Sequence, residues 1–129
     1  MNDPTQERWY HGNITGISAE GLLSGSEHQD GAFLVRDSRT KPGSYAFSVK
    51  SLNKIIHLRI YKNQKGKFQL DPSDSPTGGK EFRTLDELVE HYKKFGLVDK
   101  RKNLIKFTVP GKLHQILPYL RDNSKLVYL

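Results

Sequence analysis

The residue with the clearest chemical potential is Arg36, which ends a short apolar run at residues 31–36. A run of this length and composition is typical of a central strand covered on both faces. A guanidinium at the end of such a strand loses hydration, which is costly unless something pairs with it. The partner could be a carboxylate of the protein itself or an external anion. Asp37 is the adjacent strand residue, so its side chain is expected on the opposite face.

The residues gathered around this arginine resemble an anion site without an anion. They are the hydroxyl and cationic side chains of the following loop and of the strand two over, Ser38, Arg39, Thr40, His57 and Arg59. Guanidinium forks, hydroxyls and loop amides suit the acceptor oxygens of a phosphate. Clustered cations without internal partners repel one another, and a bound dianion relieves that repulsion. The combination therefore predicts a functional anion site.

The sequence carries no motif for catalysis or for metal binding. Its five histidines lack the spacing of metal ligands, and no Ser or Cys nucleophile motif and no phosphate-loop motif is present. We therefore expect a binding domain with no catalytic residue, no metal and no cofactor. A longer parent protein could still be an enzyme.

Composition limits the class of protein and of partner. The 129 residues fit one domain, and 35% hydrophobic with 27% charged residues is an ordinary globular composition. The net charge of +7 favours nucleic acid, acidic lipid or phosphorylated protein as a partner. The aromatic residues fall mostly at core-alternating positions, which leaves no stacking platform for bases. No run of 18 apolar residues exists, so no membrane span is expected.

The elements that would position the cationic residues form an α+β domain. Periodicity predicts a first helix at residues 18–23 and three strands at residues 31–36, 44–50 and 55–61, joined as an antiparallel meander. Residues 71–80 are predicted to form a loop, and a second helix follows a capping box made by Thr84 and Glu87. A last strand is predicted at residues 104–109. The expected architecture is a central antiparallel β-sheet flanked by two α-helices.

The order of these segments resembles the Src homology 2 (SH2) domain family. The matching segments are residues 9–15 (Trp-Tyr-His-Gly-Asn-Ile-Thr), residues 30–38 with the Phe-Leu-Val-Arg sequence, and residues 42–49, 56–60 and 85–92. The resemblance covers about residues 9–110, which leaves residues 1–8 as an N-terminal extension and residues 111–129 as a C-terminal extension or linker. Gly16 stands where many members carry an arginine. In this respect the chain resembles the SH2 domains of tandem-SH2 protein tyrosine phosphatases.

The resemblance implies a phosphotyrosine-binding module for signalling, and it assigns roles to the cationic cluster. Arg36 would grip the phosphate with both arms of its guanidinium, and Ser38, Arg39 and Thr40 would form the loop beneath it. His57 would help to order the pocket, and Arg59 would lie against the phosphotyrosine ring and phosphate.

A second set of residues is implied to read the peptide after the phosphotyrosine. Leu58 would favour apolar peptide side chains, and Gly96 and Leu97 would belong to the far wall of the groove; Leu58 as a mere core residue is an equally open reading. The resemblance also implies a cytoplasmic monomer that binds tyrosine-phosphorylated proteins, and no nucleic-acid partner is expected. A targeting fragment of a larger phosphatase or kinase is a further alternative, as is a basic domain for nucleic acid or acidic lipid.

Overall fold

The computed structural model describes residues 7–25 and 28–110, with residues 109 and 110 described for the backbone alone. Most of the expected N-terminal extension and all of the expected C-terminal one lie outside the described residues. Within the described part of the chain, no helix is long and apolar enough to cross a membrane.

The strands of the predicted meander are present and form the centre of the fold. In chain order the elements are β1 (Tyr10–Gly12), α1 (Gly16–Leu23), β2 (Ala32–Asp37), β3 (Tyr45–Ser51), β4 (Lys54–Lys62), β5 (Phe68–Leu70), α2 (Leu85–Phe95), β6 (Leu97–Val98), β7 (Leu104–Ile105) and β8 (Val109–Pro110). The main sheet has the order β1-β2-β3-β4-β5. Its β2–β3, β3–β4 and β4–β5 pairs are antiparallel, whereas β1 and β8 both run parallel to β2. The α+β architecture with a central, mostly antiparallel sheet and two helices is confirmed.

Alternation along the strands divides the core between two faces of the sheet. On one face, Ala32 and Leu34 of β2 pack with Ala19 and Leu23 of α1. The opposite face carries the larger core, in which alternate strand residues pack against α2; it includes Phe33, Val35, Phe47, Val49, Leu58, Ile60, Leu85, Leu88, Val89 and Tyr92. Each helix therefore covers one face, and a residue's parity along a strand decides which helix it meets.

The helix boundaries follow from capping interactions. The first helix begins at Gly16, two residues before the predicted start, because the Thr15 side chain caps it by accepting a hydrogen bond from the Ser18 N–H at 3.0 Å. The second helix has the predicted cap, in which the Glu87 N–H donates to Thr84 Oγ1 at 3.1 Å. The return arm of the capping box differs: the Glu87 carboxylate accepts from the Arg83 N–H rather than from that of Thr84.

The prediction of one strand at residues 104–109 is wrong. The segment contains two short strands in different sheets, since β7 pairs with β6 and β8 pairs with β2. Between them the chain crosses towards the main sheet, where the Thr108 N–H donates to Gly31 O at 2.9 Å. The crossing depends on a contact with a residue 77 positions away, which local alternation cannot reveal.

Gly31 lies at this crossing and has a φ of +95°. A Cβ there would approach the Thr108 side chain to 2.6 Å and Lys106 O to 2.9 Å. Gly66 has a similar φ of +78°, but nothing lies within 4 Å of its would-be Cβ. A substitution at Gly66 would therefore cost only left-handed backbone strain, whereas one at Gly31 would add a steric clash.

We expect Gly31→Ala to lower the free energy of unfolding by roughly 2–5 kcal/mol, because left-handed strain and overpacking add. Gly66→Ala should cost only about 1–2 kcal/mol, from strain alone. Urea denaturation of the full chain measures both values. Equal losses for the two variants would contradict the assignment of close packing at Gly31.

Candidate functional site

Arg36 lies at the end of β2, on the face of the sheet covered by α1, and is half-buried. Its Nε donates to Ser48 Oγ at 3.1 Å, and its Nη2 lies 3.3 Å from His57 Nδ1. Among the described residues, no carboxylate lies within ion-pair distance of this guanidinium. Burial lowers the pKa of Arg36, and the charge of Glu20 partly opposes that shift. An arginine remains protonated all the same, so the site holds a half-buried positive charge supported by neutral groups.

A chain of hydrogen bonds joins this arginine to helix α1. Because Arg36 Nε can only donate, Ser48 Oγ accepts from it and can pass its own hydrogen to His57 Nδ1, 2.8 Å away. This polarity assigns the ring proton to His57 Nε2, which lies 2.8 Å from Glu20 Oε2. The histidine is thus oriented from both sides, and its position relative to Arg36 is set by strand register and by α1 together.

Strand register explains why these groups meet. Arg36 on β2 pairs with Ala46 on β3, and Ala46 pairs with Arg59 on β4, while Ser48 pairs with His57. Paired residues share a face, so the expected placement of Arg36, His57 and Arg59 on one face is confirmed. Ala46 contributes only a methyl group between the two arginines.

The loop after β2 is organised around Ser38. Its Oγ accepts hydrogen bonds from the N–H groups of Lys41 at 3.1 Å and Thr40 at 3.4 Å, and it lies 3.4 Å from Thr40 Oγ1. The loop is closed at its base by the Ser38 N–H, which donates to Ser44 O at 2.9 Å. The loop therefore lies next to the end of β2, and the role of its hydroxyls and amides in binding an anion stays a prediction.

The two accessory arginines lie on different sides of this loop. Arg39 Nη1 donates to Asn13 Oδ1 at 2.9 Å and lines a hollow shared with Tyr10. Arg59 lines a second hollow, shared with Thr40, Lys41 and Asp71, and Ser38 borders both.

Arg59 is already bound to carboxylates of the protein. Its Nε and Nη2 donate to the two oxygens of Asp74 at 3.0 and 3.1 Å, its Nη2 also donates to Ser73 Oγ at 3.0 Å, and Asp71 Oδ2 lies 3.6 Å from its Nε. The hydrogen bonds and charge of Asp74 raise the pKa of Arg59 above its usual value. The expectation that the cations lack internal partners is therefore wrong for Arg59. His57 also has a carboxylate partner, because its Nε2 lies 2.8 Å from Glu20 Oε2.

The residues expected to read a peptide are divided between core and cleft. Leu58 is 1% exposed and belongs to the larger core, yet it also borders a cleft of about 300 Å³ along the edge of β4. Gly96 caps α2 with a φ of +70°, and Leu97 is buried; neither lines that cleft. The facing wall comes from a later segment, namely Asp99, Lys100, Arg101 and Asn103.

Three residues that hydrogen-bond to the predicted site residues were not identified from the sequence, namely Ser48, Glu20 and Asp74. Ser48 could have been found, because it lies two residues after Ala46 and so on the same face of β3 as Ala46 and Arg36. Glu20 stands four residues after Gly16 on one helix, which is a weaker signal. Asp74 lies in an irregular loop and had no periodic signal at all.

Comparison with known proteins gives consistent matches. A family model described as the SH2 domain matches residues 9–92. The chain is 40% identical over 97 residues to the tyrosine-protein phosphatase corkscrew of Drosophila melanogaster, covering 75% of this chain and 10% of that protein. It is 41% identical over 104 residues to phosphatidylinositol 3,4,5-trisphosphate 5-phosphatase 1 of Rattus norvegicus, covering 79% of this chain and 8% of that protein. The chain thus spans about a tenth of the length of these relatives.

Gly16 leaves room for the Arg36 guanidinium, because a Cβ at Gly16 would lie 3.2 Å from Arg36 Nη2 and 3.6 Å from His57 Cε1. We expect Gly16→Ala to displace the guanidinium by a few tenths of an ångström and to weaken binding of O-phosphotyrosine about five-fold, the equivalent of about one hydrogen bond. Titration followed by NMR measures the affinity.

Gly21→Ala is the matched control, since it lies in the same helix with nothing within 4 Å of the added Cβ. It should stabilise the helix by up to about 1 kcal/mol and leave the affinity unchanged. Equal affinities for the two variants would show that Gly16 does not make room for the arginine.

Proposed function

This chain belongs to the SH2 domain family of phosphotyrosine-binding modules, and we propose that it brings a larger signalling enzyme to tyrosine-phosphorylated partners. The family is a binding module without catalytic chemistry of its own. Two of the relatives that match are named as a tyrosine phosphatase and an inositol-lipid phosphatase, and this chain corresponds to a small part of each. A phosphatase as the parent protein is accordingly the first candidate.

The observation that carries the proposed phosphate site is the half-buried Arg36 guanidinium, which meets Ser48 and His57 and, among the described residues, no carboxylate within ion-pair distance. Ser48 and His57 orient it without neutralising it. A phosphate dianion would supply the missing charge and accept two parallel N–H bonds, which is the strongest geometry available to a guanidinium. We therefore assign the phosphate to Arg36.

The remaining members of the proposed pocket act from the loop and from β4. Ser38 and Thr40 contribute their hydroxyls beneath the phosphate, because the Ser38 N–H already donates to Ser44 O and the Thr40 N–H to Ser38 Oγ. Arg39 approaches from the Asn13 side and Arg59 from the Asp71 side, where their hollows meet at Ser38. His57 acts by holding Arg36, through the hydrogen bonds that fix its ring.

Peptide selectivity is proposed to arise at the cleft along β4. Leu58 forms its apolar floor, so we expect an apolar peptide residue shortly after the phosphotyrosine. Gly96 and Leu97 act indirectly: a Cβ at Gly96 would meet Ile105 O at 2.8 Å, and Leu97 pairs with Ile105 between β6 and β7. Together they hold the turn that carries the far wall of the cleft.

We further propose that residues 9–110 form the binding domain and that it acts as a monomer in the cytoplasm. Nucleic acid is not the proposed partner, because Phe33, Phe47 and Phe107 are buried and cannot stack with bases, and the exposed Phe95 lies on α2, across the sheet from Arg36.

We expect Arg36→Ala to weaken binding of a tyrosine-phosphorylated peptide by about 2–5 kcal/mol, or at least about 30-fold, because it removes the half-buried guanidinium to which the phosphate is assigned. Isothermal titration of the full chain provides the measurement, and the unphosphorylated peptide should not bind. Arg83→Ala is the control for charge, since Arg83 is exposed and lies outside the pocket. A phosphopeptide that binds Arg36→Ala as tightly as the unaltered chain would refute the proposed site.

A further inference from the structure

The contact between Arg59 and Asp74 is unexpected in a pocket for an anion, because a cation assigned to the phosphate already holds an anion of the protein. We propose that Asp74 is an internal ligand of Arg59 that competes with phosphotyrosine for this guanidinium and thereby limits the affinity of the pocket. The proposal rests on the proposed function and adds a positioning residue to it.

The geometry shows which partner is fixed and which can move. The Asp74 side chain is 14% exposed, whereas that of Arg59 is 65% exposed. Asp74 Oδ2 also accepts the backbone N–H of Arg59 at 2.9 Å, so the carboxylate is anchored to β4 independently of the guanidinium. Releasing Arg59 therefore requires rotation of one exposed side chain and no change of backbone.

The loop that carries Asp74 is anchored to β4 by a second set of contacts. The Asp71 N–H donates to Arg59 O at 2.9 Å, and Asp71 Oδ1 accepts from the N–H and hydroxyl of Ser73 at 2.9 and 2.8 Å. These Ser73 hydrogen bonds are the main cause that lowers the pKa of Asp71, with a smaller contribution from Arg59. Both carboxylates are therefore held in place by hydrogen bonds within the protein before any ligand arrives.

Arg59 is within reach of the proposed phosphate site. Its Cα is two strands from that of Arg36 in direct register, with only the methyl group of Ala46 between them. It also borders the hollow that contains Ser38 and Thr40. The Nε and Nη2 groups that donate to Asp74 can instead donate to a phosphate, but they cannot make well-aligned hydrogen bonds to both acceptors at once.

The expected size of the effect is modest. Ion pairs of exposed side chains contribute about 0.2–1 kcal/mol, which corresponds to a change in affinity of up to about five-fold. A phosphate carries nearly two charges and three acceptor oxygens, so it can displace the single carboxylate. Asp74 would then reduce what Arg59 contributes without abolishing it.

The test measures the affinity of the full 129-residue chain for O-phosphotyrosine by NMR titration, a probe that avoids any assumption about peptide sequence. Asp74→Asn removes the charge and keeps an amide oxygen for the Arg59 N–H. It should bind about two- to five-fold more tightly than the unaltered chain. Glu90→Gln is the matched control, because it removes one carboxylate charge from an exposed pair on α2 and should leave the affinity unchanged.

The double variant Arg59→Ala with Asp74→Asn decides the mechanism. If Asp74 acts through Arg59, Asp74→Asn raises the affinity of the unaltered chain but not that of the Arg59→Ala chain. A gain that persists without Arg59 would overturn the proposal, since the effect would then be a general change of field. Unchanged or weaker binding by Asp74→Asn would also overturn it.

Two further variants keep the outcome interpretable. Asp71→Asn replaces the first variant in the test if Asp74→Asn is unstable. It removes the weaker 3.6 Å pairing with Arg59 and leaves the Arg59 N–H capped by Asp74, so it should raise the affinity by a smaller factor. No gain in a folded Asp71→Asn would then count against the competition. Arg36→Ala separates the two proposals: full binding by this variant refutes the phosphate site itself, whereas lost binding there with no gain from Asp74→Asn refutes only the competition.

Discussion

A guanidinium held by neutral acceptors is the interaction on which the rest of the site depends. Arg36 comes from β2, its acceptors Ser48 and His57 come from β3 and β4, and Glu20 of α1 completes the series. Each residue occupies a position that strand pairing or helix packing fixes independently. A half-buried charge without a carboxylate partner costs desolvation free energy. The packing of the sheet and of α1 elsewhere in the domain offsets this cost and keeps the hydrogen-bonded residues in place.

Much of the site could be predicted from the sequence because strand alternation depends only on residues close together in the chain. The alternation of β4 placed His57 and Arg59 on the face of Arg36, and the register confirms it. Helical spacing, which also depends only on nearby residues, identified the buried stripe of α2. These predictions succeeded because the spacing of apolar residues along an element follows which of its faces is buried, and each face of this sheet is covered by a helix.

The parts that could not be predicted depend on contacts between distant segments. Asp74 reaches Arg59 from a loop 15 positions away that has no period. The strand predicted at residues 104–109 is divided because the chain crosses to meet Gly31. In each case the competing hydrogen-bond partner is chosen by tertiary geometry, on which local sequence carries no information. The SH2 resemblance supplied roles for the residues, but it did not indicate that Arg59 pairs with Asp74.

The two parallel strands beside β2 have a mechanical consequence. β1 pairs with β2 at Val35 and Arg36, and β8 pairs with the same strand at Ala32 and Phe33. Both ends of the described domain are therefore attached to a single strand, the one that carries Arg36. Tension transmitted through flanking segments of a longer chain would load these short ladders first and would reach the arginine directly through β1. The strand proposed to hold the phosphate would then also be the strand that takes up such tension.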